Sequence, residues 1–234
     1  MRKKLLFTLA FLFVLATILI PEVRHLLSLN LNDSTTTIQA VGPAFAALQW
    51  KMGQNNMGGY KARLLFIPEA AAATVPTVPL PDAAADNTEL VTAEGAFTFV
   101  EGSGITQPIY LYSTDGEVEY KAESQGETDG ISFKPTLSFF FPGNTPGMHA
   151  FNALVKNTKG YYIFEDPDGR QMILGQPGLP ASTSPSFNGG KARADRRGTT
   201  YTATADSNYS AIFLKAPIDM EVIGGLKPAP APQG

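Results

Sequence analysis

Cysteine is absent from this 234-residue sequence. Its absence excludes disulfide bridges, thiolate zinc sites and a cysteine nucleophile, and it leaves the redox compartment open. Histidine is scarce, because only His25 and His149 occur and neither stands in a catalytic or metal-binding pattern. Signatures of a nucleophile elbow, a phosphate-binding loop or a His-Glu-x-x-His zinc site are also missing. We therefore expect a protein that is not an enzyme, with no catalytic, cofactor-binding or metal-ligating residues.

Charge is sparse and unevenly placed. Charged residues make up 17% of the chain, and the formal net charge is −3. Residues 1–51 contain five basic and two acidic side chains, which leaves residues 52–234 with a net charge of −6. A mildly acidic body argues against binding nucleic acid through phosphate attraction, and it suits a surface past which DNA slides without sticking.

Turn-forming residues are abundant, with 22 glycines and 18 prolines. Beyond Met57 they separate short runs that favour β-strands, as in a sandwich or barrel. We predict a mainly β fold, an antiparallel β-sandwich or barrel over residues 52–221 with one flanking amphipathic helix and an apolar N-terminal helix. The predicted strands lie near residues 60–67, 94–100, 109–113, 118–124, 131–141, 161–165, 171–174, 182–187, 199–205 and 211–215.

The flanking helix has a clear start signal. Thr145 is a suitable N-cap, and Pro146 fits the first helical position. Gly160 is placed to end the segment. The apolar residues expected on the buried face of this helix are Met148, Phe151, Leu154 and Val155.

Three further segments are predicted to be loops or tails. Residues 69–87 consist mostly of Ala, Pro, Thr and Val, so we expect an extended loop or arm. Residues 222–234 predict a Pro-rich tail. Residues 165–169, Glu-Asp-Pro-Asp-Gly, resemble the start of a calcium loop but lack its later acidic positions, and they are interpreted as a hairpin turn.

Two acidic clusters are candidates for acid–base chemistry. One cluster is Asp115, Glu117 and Glu119, and the other is Glu123, Glu127 and Asp129. A glycosidase needs two carboxyl groups across a cleft, usually with aromatic platforms, and the single tryptophan, Trp50, lies outside the predicted domain. We therefore expect these carboxylates to form a solvated face or to line a lumen.

The densest local charge lies in residues 189–198, which contain four basic residues and one acidic residue. We predict that this segment contacts an acidic surface on a neighbouring subunit. The alternative is a solvated hairpin loop. The candidate interface residues are Lys191, Arg193, Asp195, Arg196 and Arg197.

The N-terminal segment has the order of an export signal. Arg2, Lys3 and Lys4 precede a run of sixteen uncharged residues that begins at Leu5 and ends at Ile20. As a helix this run spans about 24 Å, slightly less than a bilayer core of about 30 Å. Residues 1–51 are therefore interpreted as a leader or short membrane anchor with a linker. The alternatives are an apolar helix unrelated to export and an early start before a domain that begins near Met52 or Met57.

Several short motifs resemble tail tube proteins of phages and prophages, particularly those of Bacteroidetes hosts. The resemblance spans about residues 57–221. The segments that carry it are residues 57–68 (MGGYKARLLFIP), 120–126 (YKAESQG), 187–192 (FNGGKA), 195–198 (DRRG) and 202–206 (TATAD).

This resemblance implies a subunit that forms homo-oligomeric rings, which stack into a tube around a DNA conduit. It also implies contacts with other tail proteins, a location in the virion or in the host cytoplasm during assembly, and an arm at residues 69–87 that reaches a neighbouring subunit. The N-terminal run departs from the family pattern. The alternative hypothesis is an exported or membrane-anchored β-sandwich that binds a surface partner and contacts the membrane through residues 5–20.

Overall fold

The computed structural model describes residues 57–228. The predicted N-terminal helix and linker, including His25 and Trp50, and residues 229–234 of the predicted tail lie outside the described residues. Among the described residues, no helix is long and apolar enough to cross a membrane.

The described chain is mainly β. The twelve strands are β1 Arg63–Pro68, β2 Ala72–Thr74, β3 Thr92–Ala93, β4 Thr98–Phe99, β5 Ile109–Tyr112, β6 Glu119–Gln125, β7 Ser132–Pro142, β8 Gly160–Glu165, β9 Gln171–Leu174, β10 Ser182–Asn188, β11 Gly198–Thr204 and β12 Phe213–Leu214. The helices are α1 Pro146–Val155 and α2 Met220–Ile223, and two 3-10 turns span Glu69–Ala71 and Glu89–Val91.

The strands form two stacked open sheets and a small two-stranded sheet. The six-stranded sheet has the order β3-β12-β9-β8-β1-β5, and the four-stranded sheet has the order β10-β11-β7-β6. Strands β2 and β4 pair with each other alone. All strand pairs are antiparallel except β12 with β3. The predicted antiparallel β-sandwich is thereby confirmed.

The six-stranded sheet is buried on both faces, and every residue of β8 is buried. Its inner face packs on the four-stranded sheet, as Phe66 and Tyr162 meet Phe139 and Tyr201 in one core cluster. Its outer face is covered by the two-stranded β2–β4 sheet and by α2, whose Met220 is 2% exposed. Each fully buried large apolar side chain contributes about 1.5–3 kcal/mol, so this double burial dominates the stability of the sandwich.

Seven of the ten predicted strands are found within one residue of their expected ends, from β5 to β11. The strand predicted over residues 94–100 is wrong as a single element. Only β4, in the small two-stranded sheet, lies within this range, and β3 of the six-stranded sheet ends just before it at Ala93. Gly95 separates them with φ of 104°, a left-handed conformation that glycine adopts without steric cost.

The prediction that residues 69–87 form one extended exposed arm is corrected in its first half. Residues 69–74 form a 3-10 turn and β2, and Thr77 bridges Glu94. Val75 and Val78 pack against the outer face of the six-stranded sheet. Small apolar side chains are enough to cover this part of the sheet, because the segment packs directly on its surface as a second layer. Residues 79–87 remain mostly exposed.

Helix α1 is confirmed, with Pro146 in its first turn and the Thr145 hydroxyl accepting a hydrogen bond from the Met148 amide at 3.3 Å. Leu154 does not belong to its buried face, because this side chain is 70% exposed. The polar side chain of Asn152 faces the sheet instead, through hydrogen bonds to β11.

The predicted start of the tail at residue 222 is also corrected. The Asp219 carboxylate accepts hydrogen bonds from the Glu221 and Val222 amides and caps α2, which continues to Ile223. The folded chain reaches at least Lys227, which forms an ion pair with Glu221.

Gly160 occupies a position where the sheet leaves no space for a side chain. An added Cβ would lie closer to the Ile67 carbonyl oxygen and to the Phe66 ring than van der Waals contact allows. We expect Gly160→Ala to lower the free energy of unfolding by about 1–3 kcal/mol, since neighbours must shift to accommodate the methyl group. Urea denaturation measures this change. Gly147→Ala is the control, because no atom lies within 4 Å of its Cβ position; equal stability losses in both variants would contradict the packing argument.

Candidate functional site

The basic segment predicted as an interface is the loop that joins β10 to β11. Asp195 organises this loop internally. Its carboxylate accepts hydrogen bonds from the Lys191 and Ala192 amides, both at 2.7 Å, and these bonds hold the pKa of Asp195 below its usual range. Asp195 therefore fixes the loop conformation and does not present a free carboxylate.

Arg196 binds an acidic residue of its own chain. Its guanidinium donates two hydrogen bonds to the Glu117 carboxylate, at 2.5 and 3.0 Å, and lies 3.9 Å from the centre of the Phe140 ring. Glu117, which follows the turn before β6, thus pairs with Arg196 within the chain, and a contact of Arg196 with a neighbouring subunit stays a prediction. Hydrogen bonding to Arg196 lowers the pKa of Glu117, so the tether holds at neutral pH.

Lys191, Arg193 and Arg197 are exposed, and none of them forms an ion pair with a residue in the described range 57–228. Arg197 lies beside the loop before α1, since its carbonyl oxygen accepts a hydrogen bond from the Gly143 amide at 2.9 Å. For these three residues the subunit interface stays a prediction.

The other charged candidates have partners of their own. The hairpin turn at residues 165–169 is confirmed: the Asp166 carboxylate accepts hydrogen bonds from the Arg170 amide and side chain, each at 2.8 Å. Between residues 57 and 228, no three His, Asp or Glu side chains converge as a metal site would require. His149 contacts Asn144 at 2.7 Å and lies edge-on to the Phe187 ring.

A polar pocket of about 320 Å³ lies between β1 and α2. Arg63 donates a hydrogen bond to Glu221 at 2.6 Å, and Glu221 also pairs with Lys227. Lys61 pairs with Glu165 nearby. The charged side chains of the pocket are thus paired with one another. The ion pairs of Glu221 attach α2 and the turn after it to the six-stranded sheet.

An apolar groove opens where β5 borders the space between the two sheets. Its volume is about 220 Å³. Aromatic and aliphatic side chains from β5, β7, α1 and β11 line it, among them Leu111, Phe141, Phe151 and Tyr201. Tyr112 at its rim is 46% exposed and lies edge-on to Phe141. Such a groove offers apolar surface that a ligand or another chain could cover.

A hydrogen-bond network fixes the shape of this groove. The Tyr201 hydroxyl donates to the Asn152 side-chain oxygen at 2.5 Å, and the Asn152 amide donates to the Thr199 hydroxyl at 3.1 Å. The network holds α1 against β11. Burial raises the pKa of Tyr201 to about 12, so its hydroxyl remains a donor throughout the physiological pH range.

The sheet edges differ in chemical character. In the described part of the chain, β5, β6 and β10 each pair with only one strand, as do the short strands β2, β3 and β4 of two or three residues. The β6 edge has exposed charges at Glu119, Lys121 and Glu123, and the β10 edge contains Pro185. Both features discourage pairing with other chains. Strand β5, with the sequence Ile-Tyr-Leu-Tyr, has neither feature.

Part of the β5 backbone faces away from its sheet. The Ser113 amide donates to the Ala62 carbonyl of the preceding chain segment at 3.0 Å. Since bonded positions alternate along an antiparallel pair, Leu111 and Ile109 bond to β1, and the backbone groups of Tyr110 and Tyr112 point outward. The groove thus adjoins an unprotected sheet edge, meaning one without charged residues or proline to prevent pairing with another strand.

Comparison with protein-family models, curated proteins and solved structures found no match to this chain. Sequence reasoning identified the basic loop and missed the groove, because the groove is assembled from four separate elements.

Amide hydrogen exchange in the β10–β11 loop tests whether the Arg196–Glu117 pair restrains this loop. We expect Arg196→Ala to accelerate amide hydrogen exchange in residues 190–197, because the loop loses its attachment to the turn before β6. The urea midpoint of unfolding should hardly change, since the pair is solvent-exposed. Glu117→Ala should reproduce the effect, and Arg193→Ala is the control in the same loop. Exchange rates that match the parent protein in both Arg196→Ala and Glu117→Ala would show that the contact does not hold the loop.

Proposed function

We propose that this chain is a structural subunit that self-assembles into rings and a tube of the phage-tail type, through which DNA passes. The observation that carries the proposal is a contrast between sheet edges. Exposed charges protect the β6 edge and a proline protects the β10 edge, whereas the apolar β5 edge beside the groove has neither. An exposed apolar edge is a template for another chain, and assembly removes it from solvent.

The surface features also suit directional assembly. The groove lies at the β5 side of the six-stranded sheet, whereas the exposed part of the predicted arm, residues 79–87, follows Thr77, which is bridged to the end of β3 at the other side. A contact between two different surfaces of identical subunits is heterologous. Such contacts generate closed rings or open helical filaments.

The charge balance supports a conduit. Residues 52–234 have a net charge of −6, and Glu119 and Glu123 are exposed on β6. An acidic lumen repels the phosphate backbone, so DNA passes through it without specific binding. In this proposal the partners are other copies of the chain and other tail proteins, in the virion and in the host cytoplasm during assembly.

The order of charges and apolar residues in residues 2–20 favours a second candidate. In this alternative the protein is an exported or membrane-anchored β-sandwich, and the groove binds a surface partner. The two candidates differ in where the protein is found and in whether it polymerises.

Assembly is tested with the purified full-length chain and with a variant that lacks residues 1–51. We expect both to form rings or tubes in negative-stain electron microscopy, and sedimentation velocity should show growth with concentration. The two proteins control for each other, because aggregation driven by the apolar run is absent from the shorter one. Monomers at every concentration, together with membrane association of the full-length chain in cell fractionation, would favour the anchored surface module.

A further inference from the structure

We infer that the β5 groove is filled by Leu80 from the next copy of this chain. The inference rests on the proposed function and names the two surfaces that meet. It is drawn from the position, exposure and charge of one short loop and one groove.

Leu80 is presented as a projecting apolar side chain. It stands between Pro79 and Pro81 and is 70% exposed. Its carbonyl oxygen accepts hydrogen bonds from the Ala83 and Ala84 amides, at 2.9 and 3.1 Å, so a tight turn follows it. Two prolines and a closed turn restrict the loop before binding. A preorganised loop loses little conformational entropy when it docks.

The chain cannot place Leu80 in its own groove. Val78 packs on the outer-face cluster that contains Ile173 of β9. Strand β9 lies three positions from β5 in the sheet, which corresponds to about 14 Å. Leu80 is two residues beyond Val78 and reaches at most about 7 Å further. The groove, moreover, opens on the inner face. Only a second copy supplies this leucine.

The groove has the size and chemistry for an aliphatic side chain. Its volume of about 220 Å³ is below the roughly 300–1,000 Å³ of sites for small molecules and cofactors. Rings of Phe139, Phe151 and Tyr201 form its inner wall, and their edge-on and stacked contacts keep it open. A single anchor side chain in a preformed apolar pocket is the usual arrangement of an interface hot spot.

Charge complementarity supports the same pairing. Residues 79–91 contain three acidic side chains, Asp82, Asp86 and Glu89, and no basic one. The N-terminal turn of α1 borders the groove through Gly147 and Met148, and the exposed Arg197 contacts the loop before α1 through its backbone. A helix N-terminus and an arginine both favour a nearby carboxylate. The acidic loop is therefore directed towards this end of the groove.

Two variants of the full-length chain test the two surfaces separately. Leu80→Ser removes the projecting side chain. Gly147→Trp fills the groove, because Gly147 lines it and no atom lies within 4 Å of its Cβ position. Leu154→Ser is the matched control, since Leu154 is also 70% exposed and does not line the groove. Circular dichroism and urea unfolding verify that each variant is folded.

We expect Leu80→Ser and Gly147→Trp each to raise the concentration needed for assembly by at least about tenfold, as loss of a hot-spot anchor does. Leu154→Ser should assemble like the parent protein. An equimolar mixture of Leu80→Ser and Gly147→Trp should form a heterodimer that does not grow, because one intact leucine meets one intact groove. Light scattering after size-exclusion chromatography measures these masses.

The outcomes separate this inference from the proposed function. If the parent protein assembles and Leu80→Ser assembles equally well, the Leu80 contact is wrong and self-assembly stands. If Gly147→Trp alone prevents assembly, another segment or partner fills the groove and the assignment to Leu80 is overturned. If the parent protein stays monomeric at every concentration, the proposed function fails and this inference fails with it.

Discussion

The structure depends on one constraint: the six-stranded sheet is apolar on both faces and must be covered on both. Strand β8 shows this most clearly, because all six of its residues are buried. The four-stranded sheet covers the inner face. The outer face is covered by the two-stranded β2–β4 sheet, residues 75–78 and α2. This layering leaves the Leu80 loop on the outer side of the molecule and the groove on the inner side.

The groove arises from the same layering. Residues of β5, of the facing strands β7 and β11 and of α1 line it together. Tyr201, Asn152 and Thr199 fix the helix through hydrogen bonds, so the groove keeps a defined shape. Exposing this apolar groove and the adjacent unprotected edge strand to water is unfavourable in free energy. Self-assembly removes that cost.

The strands and α1 were predictable because each has a local signal, such as alternation of side chains, turn residues at their ends, or the Thr145–Pro146 cap. Long-range contacts left no such signal. Arg196 and Glu117 are 79 positions apart, so their pairing was invisible in the sequence. The groove gave only one hint, the uncharged Ile-Tyr-Leu-Tyr of β5. Residues 69–78 were misjudged because small side chains were assumed to need no partner.

Directional contact between copies is the central claim, and cysteine cross-linking tests it most directly because the chain has no cysteine of its own. Ala83→Cys marks the turn after Leu80, and Ala150→Cys marks α1 near the groove; both alanines are exposed. With a short bis-maleimide, the double variant should give a ladder of covalent oligomers, and a mixture of the two single variants should give a dimer containing one of each. Absence of the mixed dimer under conditions where the protein assembles would contradict the account.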